Sequence, residues 1–389
     1  MICVLELGFD DGGHVPFNAG LLATVSSAYS MESLSFFGAA RHIEELKREL
    51  KPSLALSIVW KEIRPPVPGT SYLKRLFREW GIIRRVLRCL SEDAPSRLLL
   101  TSAYPSTVLA LKVVRLFQSK RTPIQVVLHG MSGVIGRRHR HPIRRFQDMR
   151  AALGFLANTN IQYLVLEESI RDTMQYKLPF LSRNIEALEH PIAPTEGTDE
   201  GLTLSKPIRF GFLGLADKAK GFPVFLELAT EITAKHKGTA EFHVVGFVRF
   251  PEHTTQMNGT GALTTKPGTE LVSRAKFVAG LRPLHFVVLP HQAASYTLTA
   301  SGVLLDAIAW QKPVIARRIP IFEAMFERHG DIGYLFSDDS ELKAIVEQIL
   351  QTADRSRYRI QLQNLRSARK SRFPESLARV FREISRKSG

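Results

Sequence analysis

Short apolar runs alternate with amphipathic stretches along the first half of the chain. The runs are rich in Val, Ile, Leu and Phe, which is typical of buried strands, and the stretches between them repeat apolar residues at helical spacing. Such alternation predicts a parallel sheet with helices on both faces and with ligands at the carboxyl ends of its strands. The predicted strands are residues 2–8, 34–38, 55–60, 98–102, 124–130 and 163–167.

The same alternation resumes after a polar segment. Residues 193–206 are rich in Thr, Gly, Glu and Asp and poor in large apolar side chains, so they are predicted to link two domains. The fold class is therefore α/β, with one doubly wound domain over residues 1–192 and another over residues 207–370. Strands are predicted at residues 208–214, 241–247 and 286–289 and from Val314, with helices over residues 222–235 and 301–310.

The composition is that of a globular protein with a basic surface. The chain has 389 residues, 44% of them hydrophobic and 23% charged, which is enough for two domains with full cores. Its two cysteines, Cys3 and Cys89, exclude a disulfide framework and suit a reducing cytoplasm. No signal peptide or membrane-spanning run is predicted. The formal net charge of +16 predicts an anionic partner, which can be nucleic acid, a membrane surface or a substrate.

One stretch of the second half combines a buried strand, a polar loop and a short apolar helix. The loop ends in Thr299, Ala300, Ser301 and Gly302, where the new helix exposes unpaired backbone N–H groups and its positive dipole end. A glycine there lets an anion approach the backbone, and the hydroxyl groups can donate to it. The alternative is an ordinary serine cap on a core helix, and this segment alone leaves both open.

Two histidines follow predicted strands of the first domain. His14 comes after Gly12 and Gly13 behind the first strand, and His129 ends the fifth. Imidazole changes protonation near neutral pH, so either side chain can take a proton from a hydroxyl group or hold that group. The alternative is a structural or merely exposed histidine. Weaker candidates at the end of the sixth strand are Glu167 and Glu168.

Two basic segments of the first domain can contact an anionic surface. One is a predicted helix over residues 73–90, whose apolar positions are expected to face the core. Its basic stripe can rest on lipid headgroups, each cation contributing about 1 kcal/mol, or be a solvated face. The second segment can hold a diphosphate or keep an exposed loop soluble, and its lack of interleaved aromatic residues argues against nucleic-acid stacking. The apolar positions of the predicted helix are Leu73, Leu76, Phe77, Trp80, Ile83 and Leu87. Its basic stripe consists of Lys74, Arg78, Arg85 and Arg88. The second basic segment contains Arg137, Arg138, His139, Arg140, His141, Arg144 and Arg145.

Two segments of the second domain resemble a known family. Residues 301–309 and 312–316, SGVLLDAIA and KPVIA, resemble the donor-binding segment of GT-B glycosyltransferases, especially glycosyltransferase family 4. Residues 210–214, FGFLG, followed by Lys220 and Gly221, resemble the strand and loop that open that family's second domain. In the family a lysine before this glycine contacts the donor diphosphate. The first half of the chain matches only in general layout.

The resemblance assigns roles and also shows two departures. Asp306 corresponds to the second of the family's paired glutamates and keeps a carboxylate for the donor ribose. Leu298 corresponds to the first and cannot make its contacts, which leaves retention or inversion of configuration open. Leu215 stands where an arginine commonly follows the strand, so one of two expected diphosphate cations is absent. Other donor-side candidates in the loop are His291, Tyr296 and Thr297, and the alternative cation to Lys220 is Lys218.

The resemblance implies a GT-B fold, in which two doubly wound Rossmann-like domains face a central cleft, and a nucleotide-sugar-dependent glycosyltransferase. Residues 371–389 are then expected to form a helix that crosses back to the first domain. A UDP- or GDP-linked donor is expected without a metal ion, because no DxD-like pair follows a strand. The catalytic candidates are His14 and His129. Donor-binding candidates are Lys220, Tyr296, Thr299, Ser301, Gly302 and Asp306, and acceptor-side candidates are Gly12, Gly13, Arg137, Arg138 and Arg140.

Charge and family habit together predict a peripheral protein on the cytoplasmic face of the membrane. Its expected acceptor is a lipid-linked saccharide of bacterial surface polysaccharide or glycolipid synthesis, and no nucleic-acid partner is expected. Three alternatives remain. A GT-B sugar-nucleotide epimerase needs no acceptor, a non-catalytic GT-B scaffold would explain the two leucine departures, and a nucleic-acid-binding protein would explain the charge but not the lysine and Ser-Gly segments.

Overall fold

The computed structural model describes residues 1–10, 14–67, 69–89, 97–117, 122–136, 138–157, 159–193 and 202–387. The chain forms two compact units. The first unit comprises Met1–Thr195, Leu298–Ala300 and Ser371–Gly389, and the second comprises Glu196–Thr297 and Ser301–Lys370. Most of the predicted linker, residues 194–201, lies outside the described residues.

The first unit is built on a sheet of seven parallel strands. These are β1 (Ile2–Leu5), β2 (Leu34–Gly38), β3 (Ile58–Glu62), β4 (Arg97–Leu100), β5 (Ile124–Val127), β6 (Ile161–Val165) and β7 (Ile185–Ala187). They pair in the order β3-β2-β1-β4-β5-β6-β7, so the order reverses between β1 and β4. Every residue of β1, β2, β5 and β6 is buried, as expected for a sheet covered on both faces.

Eight α-helices of the described first half cover this sheet, together with 3₁₀ turns at Pro142–Gln147 and Pro179–Leu181. They are α1 (Val15–Ala28), α2 (Ala40–Glu49), α3 (Pro52–Ser57), α4 (Tyr72–Cys89), α5 (Pro105–Leu116), α6 (Ser132–Ile135), α7 (Met149–Gly154) and α8 (Glu168–Lys177). Helix α5 packs against both α4 and α7.

The second unit repeats the arrangement with six parallel strands. These are β8 (Ile208–Ala216), β9 (Ala240–Val248), β10 (Leu263–Thr265), β11 (Phe286–Leu289), β12 (Val314–Arg317) and β13 (Gly333–Phe336). Their order is β10-β9-β8-β11-β12-β13, so the reversal falls between β8 and β11. Phe210 stacks on Phe242 and Phe286 with ring centroids 5.3 and 5.7 Å apart, which ties the three central strands together.

The helices of the second unit follow the strands in alternation. They are α9 (Phe222–Lys235), α10 (Pro251–Gly259), α11 (Arg274–Leu281), α12 (Ala293–Tyr296), α13 (Gly302–Ala309), α14 (Pro320–His329), α15 (Asp339–Thr352) and α16 (Arg355–Ser371). The predicted two doubly wound α/β folds are therefore confirmed.

The last helix, α17 (Pro374–Arg386), belongs to the first unit and packs on α1. The segment before it contains Arg372, which is fully buried. Its guanidinium donates to both carboxylate oxygens of Glu167, at 2.8 and 3.1 Å, and lies 3.6 Å from Glu189. Glu167 therefore has a structural ion pair, which explains its position at the end of β6 without a substrate.

The sequence pattern was wrong at several other places. The strand predicted at residues 55–60 begins only at Ile58, because Pro52 starts the short helix α3 before it. Strands β7 and β10 have three residues each, too few to show a period, and were not predicted. On α4, Leu73 and Phe77 do not face the core, since 64% and 68% of their surface is exposed.

Candidate functional site

In the second unit, a short loop after β8 holds a lysine at the reversal point of the sheet. The backbone N–H of Lys220 donates to Oδ1 of Asp217 at 2.8 Å, and Gly221 then caps α9 with a φ of 75°. A Cβ on Gly221 would collide with the carbonyl oxygen of Pro290, which follows β11. Only glycine fits both the left-handed backbone and this close approach, so the loop is held against the end of β11.

The ammonium of Lys220 lies over the main chain of β8. A Cβ placed on Gly214 would be 2.8 Å from its Nζ atom. Burial lowers the pKa of Lys220, and the charges of Asp217 and Asp306 partly offset that effect. Lys218 is exposed instead. Of the two candidate cations, the structure thus places Lys220 at the end of the strand.

The first turn of α13 reaches the same glycine. Cγ1 of Val303 would lie 3.3 Å from a Cβ on Gly214. Ser301 is buried, and its Oγ accepts from the backbone N–H of Leu304 at 3.4 Å, so it is a helix cap. Gly302 is exposed, and nothing lies within 4 Å of where its Cβ would be. The helix end therefore offers open backbone N–H groups beside a partly dehydrated lysine, a combination that binds anions.

Asp306 has a partner that sequence reasoning missed. The guanidinium of Arg274, the first residue of α11, donates to Oδ1 of Asp306 at 2.7 Å, and both side chains are mostly buried. The two residues are 32 positions apart, so no local pattern marks the pair. Arg274 brings a second positive charge to a carboxylate that also faces Lys220.

Two aromatic side chains complete this cluster. The rings of His291 and Tyr296 lie 4.2 Å apart. Burial, helped by the charge of Lys220, lowers the pKa of His291 to about 3, and burial and the charge of Asp217 raise the pKa of Tyr296. Both are therefore neutral hydrogen-bonding groups at pH 7. Thr297 donates to the carbonyl of Ala293, and Thr299 belongs to the first unit.

In the first unit, the reversal point carries a buried carboxylate that sequence reasoning also missed. Glu6 follows β1 and is fully buried. It accepts hydrogen bonds from Thr101 Oγ1 at 2.8 Å, Asn18 Nδ2 at 3.1 Å and the backbone N–H of Gly8 at 2.7 Å, and also from the hydroxyl of Ser102. Its only signal in the sequence is an acidic residue inside an apolar run.

Glu6 also contacts His14, whose Nδ1 lies 3.4 Å from its Oε2. Burial raises the pKa of Glu6, but the hydrogen bond and charge of His14, with hydrogen bonds from Ser102 and Asn18, outweigh it and hold that pKa at about 2. The carboxylate stays ionised and can fix the imidazole with Nδ1 protonated. Nε2 of His14 is then the atom available to accept a proton.

The two predicted histidines come together. The ring centroids of His14 and His129 are 4.4 Å apart, and His14 stacks on Phe9 at 3.9 Å. Burial and the nearby histidines lower the pKa of His129 well below its ordinary value, and His190, 5.7 Å from His129, has its pKa lowered by burial to about 3. Both are neutral at pH 7.

The remaining acceptor-side candidates are only partly described. Gly12, Gly13 and Arg137 lie outside the described residues. Arg138 and Arg140 are exposed, and between them His139 pairs with Asp148, the residue before α7. This pair fastens the basic segment to the body of the first unit.

Comparison with solved structures supports the fold along the whole chain. A glycosyltransferase from Rickettsia africae ESF-5 aligns with a TM-score of 0.67 at 12% identity, covering 100% of this chain and 98% of that one. An E. coli trehalose-6-phosphate protein bound with UDP-2-fluoro glucose gives 0.66 at 12% identity, covering 100% and 99%. The lipopolysaccharide outer core galactosyltransferase WaaB in its apo form gives 0.64 at 10% identity, covering 98% of each chain. At such identities the likeness shows the fold.

The activity class comes from a sequence match. Residues 207–354 match the model of the group 1 glycosyl transferases, and this span contains the Lys220 and Gly302 cluster. The chain is a GT-B glycosyltransferase. Membership of family 4 in particular stays a prediction. No curated protein matches the chain.

Two negative findings apply to the described part of this glycosyltransferase. None of its described helices is long and apolar enough to cross a membrane. Within the same residues, no group of three or more His, Cys, Asp or Glu side chains is arranged to hold a metal ion.

Proposed function

We propose that the glycosyltransferase moves a sugar from a nucleotide-diphosphate sugar to a lipid-linked saccharide in bacterial surface polysaccharide or glycolipid synthesis. The donor part of this proposal rests on one observation, which is that the ammonium of Lys220 and the first turn of α13 both lie next to Gly214. A diphosphate needs several N–H donors and a cation within one small space, and this place offers both.

The other donor-side residues support the same ligand. In this proposal, Asp306 accepts hydrogen bonds from the ribose hydroxyl groups, and Tyr296 and His291 hold the sugar as neutral groups. Arg274, which pairs with Asp306, supplies the second positive charge that Leu215 does not. The N-terminal end of α13, Lys220 and Arg274 would together stabilise the leaving diphosphate without a metal ion. A uridine nucleotide is the first donor to test, since the similar E. coli protein binds UDP-2-fluoro glucose.

The acceptor half rests on the first unit. An ionised Glu6 beside His14 gives an imidazole held in one orientation, which can take the proton of an acceptor hydroxyl group as the new bond forms. His129 is kept neutral and can hold a neighbouring hydroxyl group. The net charge of +16 favours an acidic acceptor and peripheral attachment to the anionic cytoplasmic face of a membrane.

Thermal unfolding with UDP, GDP, CDP and TDP tests the donor half. A ligand at about 100 times its dissociation constant adds about 2.7 kcal/mol to the native state, which raises the unfolding temperature measurably. We expect one nucleotide to give this shift, Lys220→Ala to lose it, and Lys218→Ala to keep it because Lys218 is exposed. No shift with any nucleotide would contradict the proposal and favour a scaffold or a nucleic-acid-binding protein.

A further inference from the structure

An apolar groove lies between α4 and α5 of the first unit. It has a volume of about 530 Å³, and all of the residues that line it are apolar. Small-molecule sites typically have volumes of about 300–1,000 Å³, so the groove is large enough for a ligand. Among its lining residues are Leu76, Phe77 and Trp80 from α4 and Leu109 and Val113 from α5.

Three phenylalanines extend the groove beyond the two helices. Phe117, Phe146 and Phe155 line it and have 83%, 51% and 37% of their surface exposed. The hydroxyl of Tyr72 donates to the carbonyl of Phe146 at 2.6 Å, which fastens that segment to the start of α4. A contiguous patch of exposed aromatic side chains on a fixed framework marks a binding surface, whereas single exposed apolar residues do not.

A basic groove of about 1090 Å³ adjoins the apolar one, and Phe77 lines both. It lies where β2 and β3 end, opposite α4. Nε of Arg78 donates to the carbonyl of Arg64 at 3.0 Å, so α4 and the segment after β3 are tied together. The cations exceed the carboxylates: they are Lys61, Arg64, Arg78 and Arg85, against Asp10 and Glu62.

We propose that the apolar groove binds the hydrocarbon chain of the lipid carrier to which the acceptor saccharide is linked, and that the basic groove binds the phosphate of that carrier. This inference rests on the proposed function, because it names the part of the acceptor that each surface recognises. A phosphate joined to a hydrocarbon chain needs a cationic site and an apolar site in direct contact. Phe77 is the side chain at which the two grooves meet.

Binding of alkyl phosphates to the full chain tests the proposal. A series from hexyl to hexadecyl phosphate would be titrated by calorimetry below the critical micelle concentrations. Each methylene group that enters the groove contributes about 0.8 kcal/mol, or about fourfold in affinity. The affinity should therefore rise about fourfold per methylene group and then level off once the fixed volume is filled. Inorganic phosphate and dodecanol, which each lack one half of the ligand, should bind more weakly than dodecyl phosphate.

Variants separate the two halves of the site. Phe77→Ser should weaken dodecyl phosphate binding and flatten the dependence on chain length. Arg64→Gln with Arg85→Gln should weaken every member of the series by the same factor, since the chain contact is intact. The matched controls are Tyr176→Ser and Arg379→Gln, whose side chains are highly exposed elsewhere in the first unit, and they should bind like the unchanged protein.

Nucleotide binding, measured in parallel, distinguishes the failure of this inference from the failure of the proposed function. A nucleotide shift without any dependence on alkyl chain length overturns the groove assignment alone. Binding to vesicles of phosphatidylglycerol without binding of monomeric alkyl phosphate also overturns it and indicates a flat membrane contact. A dimer in solution that Phe77→Ser dissociates would overturn it in favour of a second copy of the chain. The absence of both nucleotide and alkyl phosphate binding contradicts both proposals.

Discussion

The first six strands of the two sheets share one order, but the sheets hold the polar groups at their reversal points in different ways. In the second unit, Lys220 is positioned by the main chain of a short loop that Asp217 and Gly221 close. In the first unit, Glu6 is positioned by side chains from the loop after β1, from α1 and from the end of β4. A site built from consecutive residues is visible in the sequence, whereas one built from distant side chains is not.

The largest effect is expected at the histidine that Glu6 orients. His14→Ala should lower kcat for sugar transfer by about 10²- to 10⁴-fold, because a positioned general base contributes about that much. The nucleotide-induced thermal shift should not change, since the second unit is intact. Glu6→Gln should lower kcat less and move the acidic limb of the pH–rate profile. An unchanged kcat in His14→Ala would show that the histidines of the first unit do not act as the general base.

The next effect concerns the stability of the first unit. Arg372→Ala leaves Glu167 without its bidentate partner in a buried place, which should cost about 3–5 kcal/mol. The unfolding temperature of the first unit should fall, as followed by calorimetry. Arg379→Ala, which breaks an exposed pair with Glu383, is the matched control and should have little effect. Equal losses in the two variants would show that the buried pair is not what fastens this segment.

A third prediction compares two buried carboxylates of the first unit. Burial raises the pKa of Glu79 on α4 to about 7, despite the nearby hydroxyl groups of Ser106 and Thr107 and the charge of Arg75, whereas hydrogen bonds hold that of Glu6 at about 2. A raised carboxyl pKa adds stability at low pH that is lost as the pH rises through the folded value. Between pH 5 and pH 8 the first unit should therefore lose stability, on the order of 2 kcal/mol.

Replacing the carboxyl group tests this directly. Glu79→Gln should reduce the fall in unfolding temperature between pH 5 and pH 8, and Glu270→Gln, on the exposed surface of the second unit, should leave it unchanged. The opposite sign holds for Glu6, whose contribution is present above about pH 4.5 and is lost only as the pH falls toward 2. An identical pH dependence in Glu79→Gln and the unchanged protein would rule out Glu79 as its source.

The features that the sequence predicts are those set by neighbouring residues, and the features that it does not predict depend on residues far apart in the chain. The helix over Phe222–Lys235, the strand over Phe286–Leu289 and the start of β12 were predicted to the residue, because period and flanking glycines are local signals. The position of Gly302 at the start of a helix was visible for the same reason, whereas Lys220 was singled out by the family resemblance. Helical period alone, however, placed Phe77 in the core, since it marks one apolar face without showing which neighbour covers it.

The partners that set charge and orientation were not predictable. Glu6 meets Thr101 across 95 positions, and Arg372 meets Glu167 across 205. These contacts depend on the order of strands in the sheet, which no local pattern encodes. Arg274 belongs with them, because its carboxylate partner lies on another helix.

Arg274 gives the last and smallest prediction, which sharpens the contrast between local and distant residues within one site. If it replaces the cation that Leu215 lacks, Arg274→Met should weaken nucleoside diphosphate binding about tenfold and leave binding of the nucleoside alone unchanged. If it only orients Asp306, Arg274→Met and Asp306→Asn should weaken the nucleoside as much as the diphosphate, and the double variant should be no worse than either. Calorimetric titration of the three variants with both ligands distinguishes these outcomes. A loss confined to the diphosphate would show that a residue on α11 has taken over a role that the family's sequence pattern assigns to the position of Leu215, near the end of β8.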